Sequence, residues 1–346
     1  MNHVRPMKSS IRRVAGVGFE RYGYAAFAVL LFVVLLVYNL VRDPELLTGS
    51  GALQAFSIVA PLILLAIAVT PSVLSGHGGI DLSLGPYAGF VTVLIGTHFN
   101  SGILGSPFVV VPLVIILGGA LGLFNGLLVT VVRLQPVVVT LGTYLAVSGL
   151  AEYYAPGSGG TVPGWIASIS GSGIDVVIVV IVIAVWQLGK RAHWFTWLMA
   201  VGRDDRAAYA AGIPVTAVRT TAYILGGMLA GVAGITLTAL ISGADSTVGP
   251  TYTLTAVAAV ALGGTSLAGG LGGILGAVVG ALDIFFVENI LTLLNVSPFV
   301  VNLAYGVILV VALVINAAVG RRSRRRRLPA VTLVDTAALA PAKEPA

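Results

Sequence analysis

Asp81 stands in the run Gly-Gly-Ile-Asp-Leu-Ser-Leu-Gly at 78–85, between the apolar stretches 53–74 and 86–99. A carboxylate at the centre of a membrane-length segment costs about 2.5–3.5 kcal/mol, so a chain that keeps one has a use for it. Three chemistries fit these residue types. Asp81 can accept from the Ser83 or Leu84 N–H and cap a helix that starts near Leu82, with Gly78 and Gly79 supplying the bend. It can accept a hydrogen bond from the hydroxyl of a polar solute. It can also hold a proton or an ion. A break near one membrane face suits a gate or a cap better than an outer substrate mouth.

A second charged cluster, Arg203, Asp204, Asp205 and Arg206, opens a segment continued by Ala207, Ala208, Tyr209, Ala210, Ala211 and Gly212. Its pattern reads as a helix of about two turns over roughly 203–212. Asp204 can cap the start, Asp205 favours the positive end of the dipole, and the alanines are strong helix formers. Gly212 supplies the stop, and Pro214 cannot continue the helix. So short a helix is unstable alone in water, so something must hold it. Its small side chains and single aromatic suit docking into a partner's groove. The alternative is a connector lying on the protein's own surface.

Neutral polar groups are scattered through the apolar runs: Asn125, Thr140, Thr143, Asn289 and Asn302. Amides and hydroxyls are what a pathway for a neutral polar solute needs, since they guide it and release it. Helix–helix hydrogen bonding would use the same groups. Asp283 and Glu288 are five apart and point to different helix faces, so they do not form a paired ion site. Two ladders, Gly118/Gly122/Gly126 and Gly272/Gly276/Gly280, place a small residue every fourth position and predict close helix packing.

Other chemistry is excluded by what the chain lacks. There is no cysteine, so there is no thiol or disulfide chemistry. His3, His77, His98 and His193 form no ligand spacing, so no metal site is expected. No phosphate-binding GxxxxGK[ST] loop and no GxSxG nucleophile motif occurs.

These residues must be positioned by membrane helices. The chain has 346 residues, 57% hydrophobic and 9% charged, where a soluble domain carries about 25% charge. Mean hydropathy is +1.01. With about 20 apolar residues per crossing, ten spans emerge: 24–41, 52–74, 84–99, 108–132, 136–154, 174–189, 215–241, 252–264, 268–290 and 298–319. The expected fold class is an all-α integral membrane protein with broken or re-entrant segments, span eight being the short one. No signal peptide is evident.

If both termini are cytoplasmic, only Arg42 of the 19 basic residues falls outside, which is the positive-inside rule nearly saturated. The net charge of +6 therefore reports topology and does not indicate nucleic acid. Three regions follow: a basic N-terminus at 1–23, a membrane domain at 24–319, and a tail at 320–346. The tail is polybasic, then rich in Pro and Ala, and is expected to be disordered against anionic lipid.

The run at 78–85 resembles the GGIDLSVG signature of the ribose/monosaccharide-type ABC importer permeases. Residues 200–213 resemble that family's AVGxNxxAAxxxGI loop. Residues 135–143 resemble its xPFIVTLGT stretch, 261–270 its xxGGTSxxGGxG element, and 298–303 its late SPFxQ element. The matches occur in order from about residue 50 to 318. The resemblance implies a permease of about ten helices, working with two ATP-binding cassette subunits and an extracytoplasmic substrate-binding protein. A second permease subunit, a copy or a paralogue, completes the complex. It implies that the 203–212 helix couples to the ATPase, and that ATP and Mg are held by partner chains, with no cofactor on this one. Asp204 and Asp205 stand where the family often has Asn and Glu, and Asn302 where Gln is usual. Branched-chain amino-acid permeases are related, but their first signature departs from Gly-Ile-Asp-Leu-Ser, so a monosaccharide or polyol is the solute implied. The expected location is the bacterial inner membrane.

Short loops and the lack of a catalytic constellation make transport the default class. The competing reading is an ion-coupled secondary transporter, with Asp81, Asp283 or Glu288 carrying the ion. Passive channels and ABC permeases for a branched-chain amino acid or nucleoside are further alternatives.

Overall fold

A computed structural model of the chain describes residues 27–297 apart from Pro156, with isolated positions from 300 to 314. The tail and Asn302 lie outside the described residues. Helix α1 spans Phe27–Arg42, and a single 3-10 turn, Pro44–Leu47, leads on from it. The helices that follow are α2 (Gly49–Leu74), α3 (Leu84–Thr97), α4 (Pro107–Thr130), α5 (Pro136–Tyr154), α6 (Gly164–Ala167) and α7 (Ile174–Gly189). Then come α8 (His193–Arg203), α9 (Asp205–Ala210), α10 (Val215–Ile241), α11 (Val248–Leu262) and α12 (Ile274–Leu293). The only sheet among the described residues is a two-residue antiparallel pair, β1 (Ser158–Gly159) with β2 (Ala244–Asp245).

Local sequence explains the boundaries. Thr48 caps α2, its hydroxyl accepting from the Gly51 N–H at 3.0 Å. Prolines open α4 and α5 at their first positions, where no N–H is needed. Helix α2 keeps Pro61 and Pro71 in its interior, which packed membrane helices tolerate. Among the described residues four helices, α2, α4, α10 and α12, are long and apolar enough to cross a membrane, and α1, α3, α7 and α11 are shorter apolar helices.

The core forms around α2, which is buried on every side from Val59 to Leu74. Such a helix can be apolar all round because no face meets solvent. Helix α10 packs against α2, α3 and α4, and α11 and α12 pair with each other and with α2. The first glycine ladder faces α10. A Cβ on Gly118 would collide with the Gly227 carbonyl oxygen, and one on Gly122 with the Tyr223 carbonyl oxygen. In the second ladder Gly276 and Gly280 touch α11 at the Gly263 and Ala259 carbonyls. Gly272 departs from the expected ladder: it lies in the loop before α12 with φ +114°.

Two other boundaries differ from the sequence reading. Span nine begins at Ile274 rather than 268, because Gly269, Gly270, Gly272 and Gly273 all take positive φ and form a loop. Span eight begins earlier, at Val248, with Pro250 in its first turn. A helix not anticipated, α8, fills the segment after Arg191. Leu198 and Val201 are buried, and the Trp194 indole N–H donates to the Thr221 hydroxyl at 2.6 Å on α10.

Candidate functional site

The break after α2 is built from backbone. Gly76, His77 and Gly78 take φ values of +76°, +58° and +70° in succession. Glycine adopts this region freely and histidine does so at some cost, so the glycines on either side make the reversal possible. Gly79 is held close, since a Cβ there would stand 2.5 Å from the Ser72 carbonyl oxygen. The Ile80 carbonyl then accepts from the Thr140 hydroxyl on α5 at 3.1 Å.

Asp81 is 1% exposed. One of its oxygens accepts from both the Ser83 N–H at 3.0 Å and the Ser83 hydroxyl at 2.7 Å. The Ser83 hydroxyl in turn accepts from the buried Asn125 amide at 2.9 Å. The Ser83 N–H is therefore the donor, as the sequence implies, but the helix starts at Leu84 and Ser83 holds the N-cap position. Asp81 lies two residues outside that cap and forms a turn with the backbone two residues on, the habit of a short carboxylate side chain. The second Asp81 oxygen and the Asn125 carbonyl oxygen have no hydrogen-bond partner among the described residues.

The short charged helix abuts this break. Asp204 leaves the helical region at φ −158°, ending α8, and its carboxylate accepts from the Arg206 and Ala207 N–H groups at 3.1 and 3.0 Å, opening α9. The single helix expected over 203–212 is thus shorter. Arg203 is the last residue of α8, and its Nε donates to the Gly270 carbonyl at 3.1 Å. Ala208 is the buried residue of α9, while Arg206, Ala207 and Tyr209 face outward, with Tyr209 76% exposed. Gly212, at φ +81°, follows the C-cap.

Two loops and the end of α8 meet through glycine backbone, with the Arg203 side chain lying over Gly270. The Gly270 N–H donates to the Leu74 carbonyl at 3.0 Å, which ties the α11–α12 loop to the end of α2. A Cβ on Gly76 or on Gly269 would lie 2.8 Å from the Gly202 carbonyl oxygen, and one on Gly202 would lie 2.5 Å from the Gly270 nitrogen. Arg219, in the second turn of α10, spans the group. Its Nη2 donates to Asp205 at 3.0 Å and its Nε to the Ser75 carbonyl at 3.3 Å. His77 lies 3.8 Å from the same Asp205 oxygen. Partial burial pushes the Asp205 carboxyl up, but the Arg219 hydrogen bond and charge, with His77, outweigh it and hold the group below its ordinary value of 3.8.

The other polar residues are divided. Asn125 and Thr140 join the break. Thr143 donates to its own helix, at the Val139 and Thr140 carbonyls. Asn289 lies elsewhere and donates to Asn39 at 2.9 Å and Asp43 at 3.4 Å, joining α12 to the end of α1. Asp283 is fully buried on α12, with neither oxygen hydrogen-bonded among the described residues. No cluster of three His, Cys, Asp or Glu side chains suited to a metal occurs among the described residues. Sequence reasoning did not single out Ser75, Gly76, Gly202, Gly269, Gly270 or Arg219. The Gly-Gly pair at 269–270 ends one of the recognised motifs and was the available signal; Arg219 gave none beyond its charge.

A family model described as "branched-chain amino acid transport system / permease component" matches residues 51–316. The ribose import permease protein RbsC of Bacillus subtilis is 34% identical over 295 residues, covering 83% of this chain and 90% of that protein. RbsC of Escherichia coli K12 is 29% identical over 300 residues, covering 84% and 92%. The autoinducer 2 import system permease protein LsrC of Salmonella choleraesuis is 30% identical over 320 residues, covering 87% and 89%. No solved structure matches the chain.

Proposed function

The chain belongs to the permease-component family whose model spans residues 51–316, and from that premise we propose that it is the membrane subunit of an ATP-driven, binding-protein-dependent importer of a monosaccharide or related polyol. It is a multi-pass protein of the bacterial inner membrane. The family's description names branched-chain amino acids, whereas relatives that cover most of the chain are import permeases for ribose and autoinducer 2. Family membership gives the permease role, and the ribose import relatives favour a monosaccharide or a related polyol.

One observation carries the reading. A six-residue helix that cannot persist alone is held with its outward face free and its first residue, Asp205, tied through Arg219 to the Ser75 carbonyl at the helix break. This is the arrangement expected of a part that receives force from another protein and hands it to the spans. In our reading the break end faces the cytoplasm, with ten crossings and both termini inside. Two cassette subunits bind and hydrolyse ATP with Mg, and a second permease copy or paralogue completes the pathway. An extracytoplasmic binding protein delivers the solute. Cassette closure displaces α9 and switches the spans between outward and inward access, and this chain breaks no bond.

The test is reconstitution with the cassette and binding-protein subunits from neighbouring genes. D-ribose and a panel of monosaccharides and polyols are the uptake probes. Uptake should require ATP inside the cassette compartment and the binding protein outside. Uptake by this chain alone, driven by a proton or sodium gradient, would establish the ion-coupled mechanism instead.

A further inference from the structure

We propose that Arg219 is the positioning residue that joins the ATPase-facing helix to the helix break, so that α9 and the 75–83 segment move as one. The inference rests on the transport reading above and adds to it the residue through which the force passes. A single guanidinium bridges two elements that are otherwise separate in the chain: Asp205 at the start of α9 and the carbonyl of Ser75 at the end of α2. Its side chain is 13% exposed, so the bridge is shielded from competing water. A planar guanidinium has donors enough to serve both partners at fixed angles, which an ammonium on a flexible stem does not. Beneath the bridge, the contacts among Gly76, Gly202, Gly269 and Gly270 are backbone on backbone, with no side chain to yield. The α8–α9 elbow cannot shift towards the break without displacing it; the Arg203–Gly270–Leu74 hydrogen bonds hold the end of α8 against separation, and Arg219 does so for the start of α9. The ion-pair partner of the guanidinium is Asp205, whose same carboxylate oxygen lies 3.8 Å from the His77 ring nitrogen. Arg219 lies fourteen positions from Asp205 in sequence and far outside α9, so a docking role does not account for it.

The chain has no cysteine, so a single cysteine at His77, whose side chain is 68% exposed, reports on the break. The experiment measures maleimide labelling at that site in the full importer complex, before and after trapping the cassettes with ATP and vanadate. In the otherwise unaltered complex, trapping should change the labelling rate. With Arg219→Gln, the cassettes should still co-purify and hydrolyse ATP, while the response falls about tenfold, the scale of a typical coupling between sites. Arg219→Lys keeps the charge opposite Asp205 but replaces two fixed donor nitrogens with one on a flexible stem, so it should also assemble and respond weakly. It decides the matter should the glutamine variant fail to assemble. A full response in Arg219→Lys, or in Arg219→Gln, would overturn the proposal. Absence of any response in the unaltered complex would instead overturn the coupling reading on which it rests.

Discussion

Asp81 spends one oxygen on the Ser83 N–H and hydroxyl, and Ser83 passes the contact to Asn125. That arrangement needs an acceptor at position 81 more than it needs a charge. Asp81→Asn should therefore melt within about 1 kcal/mol of the unaltered protein, the net worth of an ordinary hydrogen bond. Asp81→Leu strands two buried donors and should cost at least about 1–3 kcal/mol, the price of leaving such groups unmade. Thermal unfolding in detergent separates the two, and equal losses would remove the acceptor role. Asp205 differs, because its charge matters. Its carboxyl is held below the ordinary 3.8 in the folded protein, so the folded state binds its proton less readily than the unfolded chain. The contribution to stability is then present above the ordinary value and is lost as pH falls through the depressed one. The unaltered protein should lose stability on acidification from pH 5 towards 3, and Asp205→Asn should flatten that part of the profile (other groups supply the remainder).

Elements meet here by removing side chains. Along α4 and α10 the glycines bring backbone against backbone: Gly118 against Gly227, Gly122 against Tyr223, Gly231 against Val114. Without a hydrophobic force between helices in lipid, such contact is what holds them. Gly122→Val should therefore collapse yield and thermal stability, since overpacking a tight site typically costs about 1–3 kcal/mol or more. Gly142→Ala and Gly149→Ala on α5, where a Cβ meets nothing within 4 Å, should leave folding unchanged. Size-exclusion profiles and melting curves of the three variants test the contrast. The ladder was legible in sequence because period four survives in one dimension. So were α5, α7 and α10, whose ends are marked by Pro136, Gly173 and Lys190, and Pro214. Helix α8 was not. Its buried positions, Leu198 and Val201, sit among polar and aromatic neighbours too mixed to read as a span and too apolar to read as a loop.

At the scale of the whole molecule, parts distant in sequence converge at one end: the close of α2, the α8–α9 elbow, the base of α10 and the α11–α12 loop. Motif matching finds three of these four places but not that they touch, because contact across 144 residues leaves no local trace. In the proposed orientation, which follows the charge asymmetry of the chain, this end faces the cytoplasm. Single cysteines at Tyr209 and Ile103, both strongly exposed, test the assignment in intact cells. An impermeant maleimide added outside should label Ile103→Cys and spare Tyr209→Cys; the opposite pattern inverts the topology. The anatomy of α9 carries a last consequence, for descent rather than motion. Its footing consists of Asp204, Asp205 and the buried Ala208, while Arg206, Ala207, Tyr209 and Ala210 stand clear of the rest of the chain. Those four positions can drift without disturbing anything beneath them. On the proposed docking of the cassettes at α9, a lineage could after gene duplication exchange one motor for another, or wean a permease from its sister's motor, by a handful of surface changes.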